Sequence, residues 1–166
     1  MEIIKFLNPE NAIAEQVATW KVREASRGVV IDGDGLVALL HVSRKDYYKL
    51  PGGGIDDGEE KHTAFKRECL EEIGCNVEVI GELGIVEEWR KIFGLKQISY
   101  CYVGKVIGEK SNPNFTESEI ENGFQVVWLK KDEALQKLID AKTDSVEGKE
   151  YIQPRDIAIM QTYLAN

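Results

Sequence analysis

The spacing of hydrophobic residues along the chain follows two different periods, and each period predicts a different kind of element. Residues 25–31 are largely apolar and end in β-branched residues, and the sequence Asp-Gly-Asp-Gly at 32–35 is typical of a tight hairpin turn. Residues 36–42 form the second strand of this predicted hairpin. Strand-like patterns recur further along the chain and predict strands at residues 76–87 (with a bend), 98–107 and 124–129.

Helical periodicity is clearest between residues 53 and 75, after a glycine-rich turn. Here Phe65, Cys69 and Ile73 recur at i, i+4 and i+8 and form one apolar stripe. Gly74 follows, and glycine commonly ends a helix in the left-handed conformation. The pattern therefore predicts a helix that stops at Gly74.

Two more helices are predicted near the C-terminus. One covers residues 132–141, and the other begins near Pro154, a residue suited to the first turn of a helix. Their predicted inward-facing residues are Leu135, Leu138 and Ile139 in the first and Ile157, Met160, Tyr163 and Leu164 in the second. Loops are predicted in the polar segments at 43–48, 108–123 and 142–149.

The segment 1–21 has the weakest pattern. A short strand is predicted from four apolar residues near its start, Ile3, Ile4, Phe6 and Leu7. Residues 9–20 fit either a helix or a second strand. An N-terminal extension of this kind could cap the fold or exchange across a homodimer, and the sequence leaves both interpretations open.

Composition limits the class of protein. A length of 166 residues predicts a single domain, spanning residues 1–166, that can bury a true core. The net charge of −8 argues against a nucleic-acid partner. Three cysteines without a paired framework favour reduced thiols and a cytoplasmic protein. The sequence shows neither a signal-peptide pattern nor a long apolar run, so we expect no membrane association.

Three glutamates of the first predicted helix share one face. Glu68, Glu71 and Glu72 fall within an arc of roughly 100°. Like charges at this spacing repel, and Glu71 and Glu72 also lie near the negative end of the helix dipole. A hard divalent cation among the three would explain the arrangement, since Mg²⁺ and Mn²⁺ prefer oxygen ligands. A solvated acidic helix face would explain it too, and the helix alone does not decide.

The spacing of the whole segment resembles a family signature. Five residues separate Gly53 from Glu59, seven more separate Glu59 from Arg67, and the sequence RECLEEIGC runs on from Arg67. This is similar to the Nudix box, GX5EX7REUXEEXGU with U a bulky aliphatic residue, at every fixed position. The chain departs from the box only at the U positions, which hold Cys69 and Cys75, and cysteine packs as a small hydrophobe.

The resemblance, whose specific part covers residues 52–75, implies an α/β/α sandwich with a mixed sheet. It also implies an Mg²⁺- or Mn²⁺-dependent hydrolase that cuts the pyrophosphate linkage of a nucleoside diphosphate joined to another group. The implied metal ligands are the Gly52 carbonyl, Glu68, Glu71 and Glu72. Glu68 is implied as a ligand or as the base that deprotonates water, Arg67 orients the glutamates, and Glu59 helps to hold the loop against the helix.

Several residues outside the box are candidates for substrate binding. A tyrosine before the box could line a pocket, a tryptophan–arginine pair after it could stack a base and clamp a phosphate, and an acid of the loop at 116–121 could face the metal. These residues are Tyr47, Tyr48, Trp89, Arg90, Glu119 and Glu121. Ordinary packing or a solvated loop is the competing interpretation for each.

The expected substrate is a nucleotide-type small molecule, either an intact or oxidised nucleoside triphosphate or a nucleotide sugar. The alternative is a Nudix domain that senses a ligand without hydrolysing it, as a regulatory module. That alternative is disfavoured because a binding-only domain has no need for three mutually repelling glutamates. An isomerase acting on an isoprenoid diphosphate is disfavoured too, since no residue is identified for its chemistry.

Overall fold

A mixed sheet of eight strands runs through the protein and separates two hydrophobic clusters. The computed structural model describes all residues from 1 to 166. The strands are β1 (Ile3–Leu7), β2 (Lys21–Ile31), β3 (Val37–Val42), β4 (Tyr47–Lys49), β5 (Gly52–Gly54), β6 (Asn76–Arg90), β7 (Leu95–Ile107) and β8 (Phe124–Leu129). The helices are α1 (Ala14–Val17), α2 (Lys61–Ile73), α3 (Glu117–Glu121), α4 (Lys131–Asp140) and α5 (Gln153–Ala165), with a 3₁₀ turn at Lys91–Phe93 and a π-helical turn at Gly148–Ile152.

The sheet is mixed in direction. Its strand order is β1-β6-β7-β2-β3-β4, with β5 paired to β2 and β8 paired to β3. Strands β2 and β7 run parallel, as do β1 and β6, whereas β6 and β7 form a long antiparallel pair. The predicted fold class, α/β with a mixed sheet, is confirmed.

Helices cover both faces of the sheet. Neighbouring residues of one strand point to opposite faces and therefore pack against different helices. Val29 of β2 packs in the cluster that contains Leu138 of α4 and Met160 of α5. Val30, the next residue, packs in the other cluster with Phe65 of α2. The sandwich therefore places α2 alone on one face and the C-terminal helices on the other.

The predicted hairpin at the start of the domain is confirmed, and Ile31 pairs with Val37 across its turn. The long strands extend beyond the predicted limits. Strand β2 begins at Lys21, and β6 reaches Arg90 through register irregularities near Gly81 and Gly84. Such bulges keep a bent strand paired, which is why one continuous strand replaces the predicted strand and bend.

Four predictions about local structure are wrong. The predicted loop at 108–123 contains α3, which begins because Thr116 and Glu119 cap it reciprocally through their side chains and backbone N–H groups. The predicted loop at 43–48 runs into strand β4. Two residues predicted to face inward, Ile139 of α4 and Leu164 near the end of α5, are exposed. Helix α4 buries Ala134 and Leu138, four residues apart, and turns Ile139 to solvent.

The N-terminal segment lies along the edge of its own sheet. Strand β1 pairs in parallel with β6, where Leu7 aligns with Glu88, and the predicted short strand at Ile3–Leu7 is confirmed. Residues 9–20 contain only the single turn of α1. None of the helices combines the length and apolar character needed to cross a bilayer.

Helix α2 ends against the long loop that follows β7. Gly74 has a φ of 65°, and a Cβ at this position would lie 2.0 Å from the carbonyl oxygen of Ser111. The Ser111 N–H donates a hydrogen bond of 2.8 Å to the Gly74 carbonyl. Gly74 is therefore required both by its backbone conformation and by this close approach.

An alanine in the left-handed conformation costs about 1–2 kcal/mol. Replacing Gly74 with alanine should lower the free energy of unfolding by more than this, because the new methyl group also collides with Ser111. Gly35→Ala is the matched control, since Gly35 has a φ of 77° but open space around its Cβ position. Urea unfolding of both variants measures the difference. Equal losses in the two variants would contradict the close packing at Gly74.

Candidate active site

The glycine turn before α2 lies flat between two charged side chains. In β5, Gly52 pairs with Arg27 and Gly53 pairs with Ser26. A Cβ on Gly52 would lie 2.4 Å from the Cβ of Arg27, and one on Gly53 would lie 2.5 Å from the Glu68 carboxylate. Only a backbone without side chains can approach both groups this closely.

Glu72 lies against this turn, at the buried end of α2. Its side chain is 3% exposed, and its Oε2 accepts a 2.7 Å hydrogen bond from the Gly52 N–H. Its Oε1 accepts a 2.8 Å bond from the Nζ of Lys49, at the end of β4. The carboxylate is thus held by the turn on one side and by a lysine on the other.

Glu68 lies one helical turn before Glu72, and Glu71 directly precedes Glu72. The side chains of Glu68 and Glu71 differ in burial. Glu68 is 9% exposed, and its burial, followed by the charge of Glu72, raises the pKa of its carboxyl group. Glu71 is about half exposed, with 46% of its side chain open to solvent. Glu68 therefore lies within the protein interior, whereas Glu71 lies at the rim.

Arg67 connects the glutamates to the loop. Its Nε and Nη2 donate to the two carboxylate oxygens of Glu59, each at 2.9 Å, and Nη2 also donates to the Gly54 carbonyl at 2.9 Å. Its Nη1 donates to Glu68 at 2.8 Å and to Glu71 at 3.3 Å. The guanidinium thereby holds the pKa of Glu59 down, to about 2.

The glutamates fit a divalent cation, although they do not surround one point. No three Asp, Glu, His or Cys groups converge as a ready metal site. Lys49 and Arg67 pair with the carboxylates instead. Burial makes the mutual repulsion of Glu68 and Glu72 costly, and a cation in place of the Lys49 ammonium would relieve it. The Gly52 carbonyl belongs to the same turn, so it could complete an all-oxygen ligand set.

A cavity of about 440 Å³ opens beside Glu68 and Glu72. Its cationic lining residues are Arg23, Arg27, Lys49, Arg90 and Arg155, and its acidic ones are Glu68, Glu72, Glu119 and Glu147. In a protein of net charge −8, five cations against four carboxylates make the cavity a local concentration of positive charge. Such a lining suits a negatively charged ligand.

The structure brings some of the predicted residues to this cavity and leaves others away from it. Those that line it are Gly52, Glu68, Glu72, Arg90 and Glu119. Glu59 and Glu71 do not line it, and both accept hydrogen bonds from the guanidinium of Arg67. Tyr48, Trp89 and Glu121 do not line it. For Glu121, the exposed end of α3 explains its distance from the cavity.

Strand alternation explains the two aromatic residues. Trp89 precedes Arg90 in β6 and points away from it, donating from its indole to Glu87 and packing edge-on against Phe6. Tyr48 stacks on His41, with ring centroids 4.4 Å apart. Its neighbour Tyr47 lines the cavity instead. The candidates predicted from the sequence were thus two pairs of strand neighbours, Tyr47 with Tyr48 and Trp89 with Arg90. Only one member of each pair can face the cavity.

Sequence reasoning missed several lining residues, chiefly Arg23, Arg27, Arg155 and Glu147. Arg27 carried a signal, since it interrupts the apolar strand at 25–31 and is only 3% exposed. Arg155 carried none. It follows Pro154 in the first turn of α5, where an arginine is ordinarily solvated, yet it is 2% exposed.

A family model described as NUDIX domain matches residues 22–148 of the chain. An RNA pyrophosphohydrolase of Sulfurovum sp. (strain NBC37-1) is 32% identical over 105 residues, which are 57% of this chain and 65% of that protein. A putative 8-oxo-dGTP diphosphatase of Bacillus subtilis (strain 168) is 34% identical over 82 residues, which are 48% of this chain and 52% of that protein. The chain thus spans less than two thirds of the length of each relative.

Solved structures share the fold. A NUDIX hydrolase from Nitrosomonas europaea superposes with a TM-score of 0.64 at 21% identity, covering 87% of this chain and 90% of that one. A MutT protein from Methanosarcina mazei Go1 superposes with a TM-score of 0.60 at 17% identity, covering 89% of this chain and 97% of that one. At these identities the likeness concerns the fold alone.

The Glu59–Arg67 pair should make stability depend on pH. Because Arg67 lowers the pKa of Glu59 from 4.5 to about 2, the stabilisation is complete above pH 4.5 and is lost as the pH falls through 2. Glu59→Gln should therefore lower the free energy of unfolding at pH 7 by about 1 kcal/mol, a modest value because solvent screens the pair.

Urea unfolding at pH 7, 4 and 2.5 measures this effect. The difference between wild type and Glu59→Gln should narrow steadily towards the lowest pH. Glu60→Gln, a change at the exposed neighbouring residue that forms no ion pair, is the control and should show little effect. A difference for Glu59→Gln that does not change with pH would contradict the ion pair.

Proposed function

Because this chain belongs to the Nudix family, we propose that it hydrolyses the pyrophosphate linkage of a nucleoside diphosphate joined to another group. The observation that carries the proposal is the position of Glu68 and Glu72, two buried carboxylates on the wall of a cationic cavity. An anhydride substrate is anionic and repels nucleophiles, so both a cation site and positive charges around the phosphates are needed. The domain proposed for this activity is the whole of residues 1–166.

We propose Glu68, Glu71, Glu72 and the Gly52 carbonyl as ligands of Mg²⁺ or Mn²⁺. When bound, such an ion lowers the pKa of water and neutralises charge on a phosphoryl oxygen. Glu68 either ligates the ion or accepts a proton from the attacking water, because its carboxylate lines the cavity. Arg67 and Glu59 hold the glutamates and the turn in place without touching substrate.

The relatives widen the set of candidate substrates. Their names put RNA and an oxidised nucleoside triphosphate beside the nucleoside triphosphates and nucleotide sugars expected from the sequence. The expectation that nucleic acid is excluded loses its support, because the net charge of −8 does not describe the cationic cavity. We therefore include RNA with a phosphorylated 5′ end among the candidate substrates. The three buried free cysteines agree with a cytoplasmic location, which also remains a proposal.

Lys49→Met should strengthen Mn²⁺ binding, because it removes the ammonium group that pairs with Glu72 at 2.8 Å and competes with the metal. Because the pair is largely buried, with side-chain exposures of 13% for Lys49 and 3% for Glu72, removing the lysine leaves the carboxylate uncompensated, and a dissociation constant at least several-fold lower is expected. Electron paramagnetic resonance of free Mn²⁺ measures this without substrate. Lys66→Met, an exposed position of the same helix, is the control. Unchanged affinity in Lys49→Met would contradict metal binding at Glu72.

Glu72→Gln should reduce hydrolysis by about a hundredfold or more, because it removes a metal-binding charge while keeping an acceptor for the Gly52 N–H. With Mg²⁺ present, the appearance of the nucleoside monophosphate (for RNA, of the shortened 5′ end) is measured by chromatography across nucleoside triphosphates, nucleotide sugars and a 5′-triphosphorylated oligoribonucleotide, because a nucleotide sugar releases a sugar phosphate and no free phosphate or pyrophosphate. Glu60→Gln should retain full activity. Near-normal rates in Glu72→Gln would overturn the proposed metal site, and no turnover of any substrate would favour a ligand-sensing module.

A further inference from the structure

Three buried arginines from different elements meet at the cavity. They are Arg27 of β2, Arg90 of β6 and Arg155 of α5, which we call the arginine cluster. Their exposures are 3%, 3% and 2%. Arginine is almost never buried this completely unless it is paired, so the partners of each guanidinium need to be counted.

Two fully buried carboxylates lie against the cluster. Glu88, fully buried, accepts from Arg90 Nη2 at 2.8 Å and lies 3.9 Å from Arg155 Nη1. Asp156, also fully buried, accepts from Arg155 Nε at 2.6 Å. Glu147 also accepts from Arg90 Nη1 at 2.8 Å, so three carboxylates match the three guanidinium groups in number. Two of these counter-charges are fixed in the interior, whereas Glu147 is half exposed, and Arg23 adds a further cation at the edge of the cavity.

Many donors of the cluster are unused. Arg27 donates only from Nε, to Ser99 at 3.1 Å, and Arg155 only from Nε, to Asp156. The Nε of Arg90 has no acceptor at all. Burial, followed by the charge of Arg155, lowers the pKa of Arg27 to about 10, whereas at Arg155 burial is outweighed by the charges of Asp156 and Glu88, which raise the pKa of that guanidinium. Of these donors only Arg90 Nε is fully buried, so the unpaired Nη groups of Arg27 and Arg155 reach the cavity that they line. Guanidinium N–H groups that open onto a cavity suit a ligand with anionic oxygens.

The remaining partner of the cluster is replaceable. Glu147 accepts from Arg90 Nη1 at 2.8 Å, but its side chain is 45% exposed. It lies just before the π-helical turn at Gly148–Ile152 rather than in the sheet. A ligand carboxylate or phosphate could take its place beside Arg90 while Glu147 turned to solvent.

We propose that the arginine cluster binds the terminal phosphate groups of the substrate, so that the enzyme selects a free triphosphate chain over a pyrophosphate that ends in a sugar. This inference rests on the proposed function, because it assigns the far end of the substrate that Glu68 and Glu72 would act upon. A terminal phosphate carries about two negative charges and pairs with guanidinium groups in bidentate fashion. The hydroxyl groups of a sugar carry no charge to pair with these guanidinium groups.

The first test is binding of inorganic triphosphate without metal, by calorimetric titration in the presence of a chelator. Arg90→Gln and Arg155→Gln should each bind it roughly ten- to a hundredfold more weakly than wild type. Arg44→Gln, at an exposed arginine outside the cavity, is the matched control and should bind as wild type does. Equal affinity in all four proteins would overturn the inference.

A second variant tests the same site without removing a buried charge. Glu147→Gln takes away a half-exposed competitor for Arg90 and should bind inorganic triphosphate roughly two- to fivefold more tightly. Its control is Glu109→Gln, an exposed loop position that forms no ion pair. Weaker binding in Glu147→Gln would count against displacement of Glu147, and this result is available even if the arginine variants fail to fold.

Hydrolysis separates the two proposals. If the wild-type protein binds inorganic triphosphate but cleaves none of the compounds, the proposed function is wrong and the inferred phosphate-binding site stands. Wild type that cleaves nucleotide sugars faster than triphosphates, or that hydrolyses triphosphates without binding the inorganic chain, would overturn the arginine-cluster inference alone. Comparing a nucleoside triphosphate with a 5′-triphosphorylated oligoribonucleotide then shows which of the two supplies the phosphate chain.

Discussion

The guanidinium of Arg67 is the contact on which the geometry of the site depends. It bonds to Glu59 and to the Gly54 carbonyl on the loop, and to Glu68 and Glu71 on its own helix. One rigid, planar cation thus fixes the distance between the glycine turn and the acidic face of α2. It also offsets part of the repulsion among the glutamates, which the helix would otherwise have to bear.

Strand β5 separates the two kinds of charge. Gly52 lies against Arg27, and Gly53 lies against Glu68, at distances that no side chain would permit. Because this strand is only three residues long, acidic and basic walls face one cavity across it. A phosphoric anhydride needs both, a cation-binding wall at the bond that breaks and positive charge around the phosphates. The close packing of a glycine turn is therefore what allows the two walls to meet.

The features that could be predicted from the sequence are those that depend on neighbouring residues only. The spacing of Phe65, Cys69 and Ile73 determines one face of α2, and the position of Gly74 determines its end, because both depend only on residues within a few turns. Alternation along a strand predicts that Trp89 and Arg90 face opposite sides. Which of the two faces the cavity is decided by the pairing of β6 with β7, far away in the chain.

Arg155 shows the same limit more strongly. Its burial depends on how α5 packs over β2 and on the partners Glu88 and Asp156, and nothing in its neighbouring residues signals this. Charged residues that are buried by tertiary packing look like surface residues in the sequence. The acidic half of the site could therefore be predicted as a motif, whereas the basic half became visible only in the fold.

The most direct test of a hydrolytic site at α2 is to find which product takes up the oxygen atom of the attacking water. Single-turnover cleavage of a nucleoside triphosphate in ¹⁸O-labelled water with Mg²⁺, followed by mass spectrometry, should place one label in one phosphorus-containing product. The label should be nearly absent over the same time with Glu72→Gln. Unlabelled products, or equal labelling by the variant, would contradict hydrolysis by the carboxylates of α2.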